Sequence, residues 1–270
     1  MIEFRGVRKQ FPDGTLAVDR VDLQMPPHRT TVFVGSSGSG KTTLLRMINR
    51  MVDPTEGQVL IDGTDAATVD PVRLRRSIGY VMQNGGLLPH RRVVDNIATV
   101  PVLRGESKSA ARARALELMD TVGLDRSMAD RYPAQLSGGQ QQRVGVARGL
   151  AVDPNILLMD EPFGAVDPLV RMELQDELLR LQRELGKTIV FVTHDIDEAF
   201  RLGDQVVILR ESGRVVQVGA PAEILASPAD DFVAGFIGAD RGRRRLTVAE
   251  VDGRRIVVDA DGRPAGVLAS

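Results

Sequence analysis

A glycine-rich run that ends in lysine and threonine is the part of this sequence best suited to chemistry. It fits the pattern G-x-x-x-x-G-K-[ST], follows the apolar run TTVFV and precedes the helical pattern TLLRMINRM. Glycines allow backbone N–H groups to converge on phosphate oxygens, and a helix N-terminus adds a favourable dipole for an anion. A Gly/Ser-rich turn with a surface lysine is the alternative, but the flanking strand and helix patterns favour a phosphate loop for a nucleotide. Its residues are Gly35, Ser36, Ser37, Gly38, Ser39, Gly40, Lys41 and Thr42.

The end of the phosphate loop predicts how a nucleotide and its metal ion are held. Lys41 would neutralise the β- and γ-phosphates, and Thr42 would give its hydroxyl to Mg²⁺. Thr43 stands beside them and would bind the region of the α- and β-phosphates. The predicted ligands are therefore a nucleotide and Mg²⁺.

A second chemical site is predicted where the apolar run at residues 156–159 ends in Asp160 and Glu161. Successive side chains of a strand point to opposite sides, so the two carboxylates should have different roles. Asp160 would orient the Mg²⁺ shell, whereas Glu161 would polarise the attacking water. Any strand can end in acidic turn residues, but the phosphate loop elsewhere in the chain favours the catalytic interpretation.

The elements that must position these groups alternate between short β-branched runs and longer amphipathic segments. This alternation predicts an α/β fold with a buried, largely parallel sheet. Between Asp95 and Asp153 no comparable strand occurs, and SKSAARARALELMDTVGL places Ala, Leu and Met at helical spacing. We therefore expect an inserted helical lobe over about residues 84–152. The strand-like runs lie at residues 31–34, 59–61, 77–82, 156–159, 188–192 and 206–209.

The pattern changes after about Asp240, where RGRRR is followed by the strand-like pieces LTVAEV, RRIVVDA and PAGVLAS. Asp-Gly pairs at 252–253 and 261–262 predict the turns between them. The chain should therefore divide into a domain over residues 1–238 and a short β-rich tail over 239–270. The arginines could contact anionic headgroups, but a solvated linker is the favoured interpretation.

Composition excludes several classes of protein. Lys and Arg number 35 against 36 Asp and Glu, so no basic excess predicts nucleic acid as a partner. The chain has no cysteine, which excludes disulfides, thiolate zinc sites and a cysteine nucleophile. No apolar run reaches the length of about 18 residues that a membrane span requires. The start MIEFRGVRKQF is charged where a secretory signal would be apolar, so we expect a chain on the cytosolic side.

Further motifs identify a resemblance to the ATP-binding cassette family over about residues 1–238. The run LSGGQ stands between the phosphate loop and the acidic strand, and His194 follows the strand pattern TIVFVT. In order along the chain, the shared features are the phosphate loop, Gln83, LSGGQ, the acidic strand, Asp167 and His194. The resemblance implies a P-loop NTPase core with a parallel sheet, an N-terminal antiparallel β part and the helical lobe. The residues of the LSGGQ motif after its leucine are Ser137, Gly138, Gly139 and Gln140.

The resemblance also implies roles for these residues in a head-to-tail dimer. LSGGQ would begin a helix that completes the ATP site of a second copy, with Ser137 and Gly139 at the γ-phosphate in trans. Small residues at a helix start can form an anion-binding site, although a helix cap within the lobe would show the same residues. Asp167, in GAVDP, would lie in the loop that crosses the dimer, although Gly164-Ala165-Val166 departs from the commoner Ser-Ala-Leu.

Three more residues receive roles by the same resemblance. Gln83 would touch Mg²⁺ and the attacking water at the entrance to the helical lobe, and His194 would bond to the γ-phosphate. Phe11 would stack on adenine where the family more often has tyrosine, and core packing is its alternative. The other histidines, His28 and His90, are interpreted as surface or turn residues.

The function that the resemblance implies is an ATPase subunit of a membrane importer. Two copies would hold two ATP molecules and drive separate permease subunits from the cytoplasmic face of the membrane, with an extracytoplasmic binding protein as an indirect partner. An importer ATPase for another small solute and a soluble, non-transport ABC ATPase are the alternatives. A soluble cassette protein would usually carry long coiled coils or two cassettes, and a non-hydrolysing sensor would be expected to lack Glu161 or His194.

Two stretches most resemble the quaternary amine importers, which take up glycine betaine, choline, carnitine or proline. They are RRSIGYVMQNGGLLPHRRVVDNIATVPVLRG, whose residues 84–92 would border the groove for the permease, and DDFVAGFIGADRGRRRL. In that group a pair of regulatory nucleotide-binding repeats commonly follows. The run VVDADGRPAGVLAS resembles one strand-turn-strand of such a CBS-like repeat, of which the tail would be a remnant. We expect too few residues there for a pair, and so no sensing through the tail.

Overall fold

The computed structural model describes residues 1–83, 85–164, 166–238, 247–251, 254–258 and 264–267. Strands and helices alternate over much of this part of the chain, as the sequence predicts for an α/β fold. The strands are β1 (Ile2–Gln10), β2 (Leu16–Met25), β3 (Thr30–Gly35), β4 (Glu56–Ile61), β5 (Thr64–Asp65), β6 (Gly79–Val81), β7 (Ile156–Asp160), β8 (Thr188–Thr193), β9 (Gln205–Leu209), β10 (Val215–Gly219), β11 (Thr247–Val251), β12 (Arg254–Val258) and β13 (Pro264–Val267).

Several helices begin at a side chain that caps them. Ser107, Ser137 and Asp167 each accept a hydrogen bond from a backbone N–H of the first turn that follows. The helices are α1 (Lys41–Ile48), α2 (Pro71–Ser77), α3 (Val93–Ile97), α4 (Thr99–Leu103), α5 (Lys108–Thr121), α6 (Gly138–Leu150), α7 (Pro168–Leu185), α8 (Ile196–Leu202), α9 (Pro221–Ala226) and α10 (Asp231–Phe236).

The central sheet has six strands in the order β10-β9-β3-β8-β7-β6. Strands β9, β3, β8, β7 and β6 run parallel to one another, and β10 pairs antiparallel with β9. Both faces of the sheet are buried. Along β3, Val32 and Val34 pack into one apolar cluster and Phe33 packs into the other. Strand β3 thus lies inside the domain, which explains its unbroken apolar sequence.

The second sheet is antiparallel, in the order β2-β1-β4-β5, and confirms the expected N-terminal antiparallel part. It corrects one expectation, because residues 59–61 belong here and not to the parallel sheet. Their strand β4 pairs with β1, with Val59 opposite Phe4. A short β-branched run shows that a strand forms but does not reveal which strand it pairs with, because pairing depends on distant partners.

The strand predicted over residues 77–82 is shorter in the structure, where β6 covers Gly79–Val81. Ser77 ends α2 instead, since Asp70 caps that helix and Pro71 occupies its first position. Gln83 therefore lies two residues beyond the end of β6.

Helices α3 to α6 occupy the interval where the sequence predicts a helical lobe, and no strand lies between β6 and β7 in the described residues. The tail strands form an antiparallel meander in the order β11-β12-β13. The arginines at 241 and 243–245 and both Asp-Gly pairs lie outside the described residues. The domain boundary after residue 238 and the CBS-like assignment stay predictions. Within the described part of the chain, no helix is long and apolar enough to cross a membrane.

Candidate nucleotide site

Four neighbouring parallel strands place the predicted site residues at one edge of the central sheet. Parallel strands end on the same edge, so the segments that follow β3, β8, β7 and β6 lie side by side. The phosphate loop follows β3, and His194 follows β8. Asp160 and Glu161 stand at the end of β7, and Gln83 comes just after β6. The structure therefore collects at one edge residues that are separated by up to 159 positions, from Gly35 to His194.

The phosphate loop has a conformation that requires glycine. Gly38 and Gly40 have φ angles of 79° and 82°, in the left-handed region. A Cβ at Gly40 would also lie 2.4 Å from the carbonyl oxygen of Ala17 on β2. The loop exposes Ser36, Ser37 and Gly38, whereas Ser39 is buried. Its crest thus faces solvent just before the N-terminus of α1, as an anion site requires.

Lys41 lies folded beneath this loop. Its Nζ donates to the carbonyl oxygens of Gly35 and Ser36, at 2.8 and 2.7 Å, and to Ser39 Oγ at 3.3 Å. Only 5% of the residue is exposed. Burial lowers the pKa of Lys41, and the charges of Glu161 and Asp160 oppose that shift. The positive charge of the Lys41 ammonium group therefore lies at the base of the loop.

Asp160 is a nearly buried carboxylate whose two oxygens have different partners. Thr42 Oγ1 donates to Oδ1 at 2.8 Å. Tyr80 Oη donates to Oδ2 at 3.1 Å, and Arg46 Nη2 donates to the same oxygen at 3.3 Å. Burial raises the pKa of Tyr80, so its hydroxyl keeps the proton that it donates. The sequence analysis did not single out Arg46 or Tyr80. The available signal was the spacing of four residues between Thr42 and Arg46, which places both on one face of α1.

Glu161 has a different environment, although it is the next residue. Its φ of 45° is unusual for a residue other than glycine, and its backbone N–H donates to the carbonyl oxygen of Val192 on β8. Oε2 receives His194 Nδ1 at 3.2 Å and Gln83 Nε2 at 3.4 Å. Because a carboxylate only accepts, Nδ1 carries the proton of a neutral His194, which leaves Nε2 as the acceptor. The three predicted catalytic side chains therefore meet at one oxygen.

Gly164 lies beside this group. A Cβ built on it would be 3.4 Å from Gln83 Nε2 and 3.9 Å from Glu161 Oε2. The serine that the family more often has would fit at this position without displacing backbone.

The LSGGQ motif is not joined to this edge. Ser137 caps α6 in a capping box, in which its Oγ accepts from Gln140 N–H and its own N–H donates to Gln140 Oε1. Ser137 and Gly138 are exposed, and no hydrogen bond joins residues 137–140 to the strand-end residues in the described chain. Gly139 is buried, because its Cα faces Val170 on α7, and a Cβ would meet that side chain at 2.5 Å.

The last two predicted residues lie at chain reversals. Asp167 caps α7 and is exposed. Phe11 begins the turn between β1 and β2, where Lys9 Nζ lies 5.3 Å from the centre of its ring. Phe11 is only partly buried, so core packing does not account for the whole side chain. The strand β2 that follows carries the Ala17 carbonyl against Gly40, which places this turn near the phosphate loop.

The donor atoms of the site suit a hard cation. Thr42 and Asp160 offer a hydroxyl and a carboxylate within 2.8 Å of each other, and Gln83 carries an amide oxygen. Among the described residues, no group of three or more His, Asp or Glu side chains is placed to hold a metal ion. This oxygen set fits Mg²⁺, which typically takes one or two protein oxygens together with phosphate oxygens and water.

Comparison with known proteins assigns the family. The ABC transporter family model matches residues 18–164, more than half of the chain. This chain belongs to the ABC transporter family. The ABC fold agrees with the parallel sheet and the helical insertion described above. A solved structure described as dimeric MJ0796, a bacterial ABC transporter cassette, has a TM-score of 0.74 and 36% identity. The likeness covers 82% of this chain and 99% of that one.

Curated ABC relatives confirm the resemblance to the quaternary amine importer group. The carnitine transport ATP-binding protein OpuCA of Listeria monocytogenes is 47% identical over 269 residues, covering 100% of this chain and 66% of the relative. The glycine betaine uptake system ATP-binding protein YehX of Escherichia coli is 49% identical over 252 residues, covering 93% of this chain and 81% of the relative. The chain thus spans slightly less than two thirds of the length of OpuCA.

Proposed function

We propose that this chain is the ATP-hydrolysing subunit of an ABC importer for quaternary amine osmoprotectants such as glycine betaine, choline, carnitine or proline. The observation that carries the proposal is the convergence of the phosphate loop, Asp160, Glu161, Gln83 and His194 at one sheet edge. The relatives add the cargo class, because OpuCA is named for carnitine transport and YehX for glycine betaine uptake.

The phosphate loop binds the triphosphate of ATP in this proposal. The exposed backbone at residues 36–38 faces the phosphates, and Gly35, Ser39 and Gly40 shape the loop around Lys41. Lys41 exchanges the loop carbonyls for the β- and γ-phosphates, which are stronger acceptors because they are charged. Thr43 contacts the region of the α- and β-phosphates, and Phe11 stacks on the adenine.

Thr42, Asp160 and Gln83 would hold the Mg²⁺ ion with ATP. The Thr42 hydroxyl and the Gln83 amide oxygen are the direct ligands, and Asp160 orients the remaining shell. When bound, Mg²⁺ neutralises charge that develops on the phosphates. The chain contributes the fixed spacing of 2.8 Å between Thr42 Oγ1 and Asp160 Oδ1.

Glu161 polarises the water that attacks the γ-phosphate. Its side chain is 24% exposed, so water can reach it, and Gln83 and His194 both contact its Oε2. His194 is in a position to swing from Glu161 to the γ-phosphate, because its side chain is 62% exposed. Hydrolysis then needs no covalent intermediate with the protein.

A second copy completes each ATP site. The exposed start of α6 offers Ser137, Gly138, the backbone of Gly139 and Gln140 to the γ-phosphate bound by the partner, and Asp167 lies in the loop that crosses the dimer. The similar MJ0796 cassette is described as a dimer, and a second structure of that cassette is described as a post-hydrolysis state bound to ADP and Pi. Both features support ATP turnover at an interface between two copies.

The membrane partner is a separate permease. It receives its cargo from an extracytoplasmic binding protein, and this chain drives it from the cytoplasmic face. A cleft of about 430 Å³ opens in the helical lobe, and its wall carries four cations and one carboxylate: Arg91, Arg92, Lys108, Arg112 and Asp95. Its edge at His90 coincides with the segment 84–92 that the sequence predicts to border the permease groove. We assign this cleft to the permease contact.

Uptake and hydrolysis together test the proposal. Deletion of this chain's gene should reduce uptake of labelled glycine betaine or choline and leave methionine and sugar uptake unchanged. Wild-type chain should restore the uptake, whereas Glu161→Gln should not, although it is produced at the same level. Normal uptake of every quaternary amine tested, in a cell without a redundant system, would contradict the cargo class.

A further inference from the structure

One oxygen of the Asp160 carboxylate, Oδ2, is held by two residues outside the set that the family resemblance provides. Thr42 and Arg46, four residues apart on one face of α1, bond to Oδ1 and Oδ2 respectively. Tyr80 approaches Oδ2 from the neighbouring strand, because β6 and β7 are paired and Tyr80 stands opposite Leu158. Arg46 Nε also donates to Tyr80 Oη at 3.4 Å, which closes a ring of three side chains.

This ring restricts how the carboxylate can rotate. Twisting the carboxyl group out of its present plane would break the bond of Oδ1 to Thr42 and the bonds of Oδ2 to Arg46 and Tyr80. Asp160 is only 7% exposed, so little water is available to replace those bonds. The partners of Oδ2 therefore favour the orientation in which Oδ1 stays with Thr42.

We propose that Tyr80 and Arg46 are positioning residues for Mg²⁺, which hold Oδ2 of Asp160 so that Oδ1 and the Thr42 hydroxyl stay aligned toward the cation. The inference rests on the proposed ATPase function and adds two residues to it. Neither residue is required to touch ATP or the metal. Outer partners of this kind commonly change metal affinity by about 10–100-fold when they are removed.

The test separates Mg²⁺ from ATP. ATP affinity is measured by calorimetry on the full chain, first with EDTA and then at graded Mg²⁺ concentrations, in a Glu161→Gln background that preserves the nucleotide. Tyr80→Phe and Arg46→Met should each raise the half-saturating Mg²⁺ concentration about tenfold and leave ATP affinity in EDTA within about twofold. Arg46→Lys keeps the charge but cannot span both acceptors, so it should give an intermediate shift.

The double variant Tyr80→Phe with Arg46→Met should shift the Mg²⁺ dependence by less than the product of the two single shifts, because both residues hold the same oxygen. Tyr132→Phe is the matched control. Tyr132 is the only other tyrosine of the chain, lies in the helical lobe and is 42% exposed. Its loss should leave the Mg²⁺ dependence unchanged.

A spectroscopic measurement does not depend on calorimetry. The chain has no tryptophan and two tyrosines, so Tyr132→Phe leaves Tyr80 as the only tyrosine whose emission is seen. A carboxylate that accepts a hydrogen bond from a phenol quenches its emission, so Asp160→Asn should brighten Tyr80. Emission should also change with Mg²⁺ in the presence of ATP, at the same half-saturating concentration that calorimetry gives.

The outcomes distinguish this inference from the proposed function. If the parent chain binds no ATP, the proposed function fails. If it binds ATP but both single variants keep the parent's Mg²⁺ dependence within twofold, Tyr80 and Arg46 do not position the metal. Equal losses of ATP affinity with and without Mg²⁺ would also overturn the inference, since they would show a general effect on the loop.

Discussion

The sheet edge and the start of α6 are built in opposite ways. At the sheet edge, Lys41 and Asp160 are almost completely buried and already bonded to neighbours from other elements. At the start of α6, Ser137 and Gly138 are exposed, and the bonds of Ser137 stay within the first turn of its own helix. The groups of the first region are already bonded to one another, whereas the second region is an exposed helix start whose bonds stay within its own cap.

The difference shows what each region can do alone. In the proposed function, the sheet edge binds a nucleotide in a single copy, because all its groups come from one chain. The α6 start can act only on something that arrives from outside. The following variants should therefore affect nucleotide binding or turnover at the first region and assembly at the second.

The largest effect is expected at Glu161. Glu161→Gln removes the group that polarises water but leaves the phosphate contacts, so turnover should fall by about 10²–10⁴-fold. ATP affinity should stay within about twofold. Glu173→Gln, an exposed carboxylate on α7, is the control and should keep full turnover. Equal steady-state hydrolysis by Glu161→Gln and wild type would refute the assignment.

The next effect is expected at Lys41. Lys41→Ala deletes a charge-assisted bond to the phosphates, so ATP affinity of the isolated chain should fall by about 10–100-fold. Lys187→Ala is the matched control, because Lys187 also bonds to its partner at 2.7 Å but pairs with Asp153 at the surface. Unchanged calorimetric affinity in Lys41→Ala would count against the phosphate loop.

Ser137→Asp should lower turnover by at least about tenfold, which is a smaller effect than that expected at Glu161. Ser137→Asp keeps a good helix cap, so the free energy of unfolding should change by less than about 0.5 kcal/mol. It also presents a negative charge to the partner's γ-phosphate, so ATP-driven dimerisation should weaken. Analytical ultracentrifugation with ATP measures this, with Ser107→Asp at the cap of α5 as the control. Normal dimerisation of Ser137→Asp would show that Ser137 acts only as a helix cap.

The smallest effect is expected at Gly164. Gly164→Ser introduces a Cβ at ordinary contact distance from Gln83, on an exposed residue, so turnover should stay within about twofold of wild type. A loss of tenfold or more in kcat would show that the space between Gln83 and Glu161 must stay empty.

Much of the sheet edge could be predicted from sequence, because parallel strands end on one side and each motif follows its strand directly. The capping role of Ser137 was also weighed from its residue type. Strand pairing is harder to predict from sequence. The prediction for residues 59–61 names the wrong sheet, because their partner β1 is distant in sequence. Arg46 and Tyr80 were missed for the same reason, since their contacts to Asp160 span 114 and 80 positions.

In the proposed dimer, each ATP site combines the sheet edge of one copy with the α6 start of another. The direct test is a crosslinked mixed dimer of a Lys41→Ala chain and a Ser137→Asp chain, both in the Glu161→Gln background, loaded with labelled ATP and desalted. If Ser137 acts in trans, both lesions fall on the same site, so the mixed dimer should retain one ATP while each single-variant dimer retains none. If Ser137 acts within its own chain, each site carries one lesion, and a mixed dimer that retains no ATP would contradict the trans arrangement.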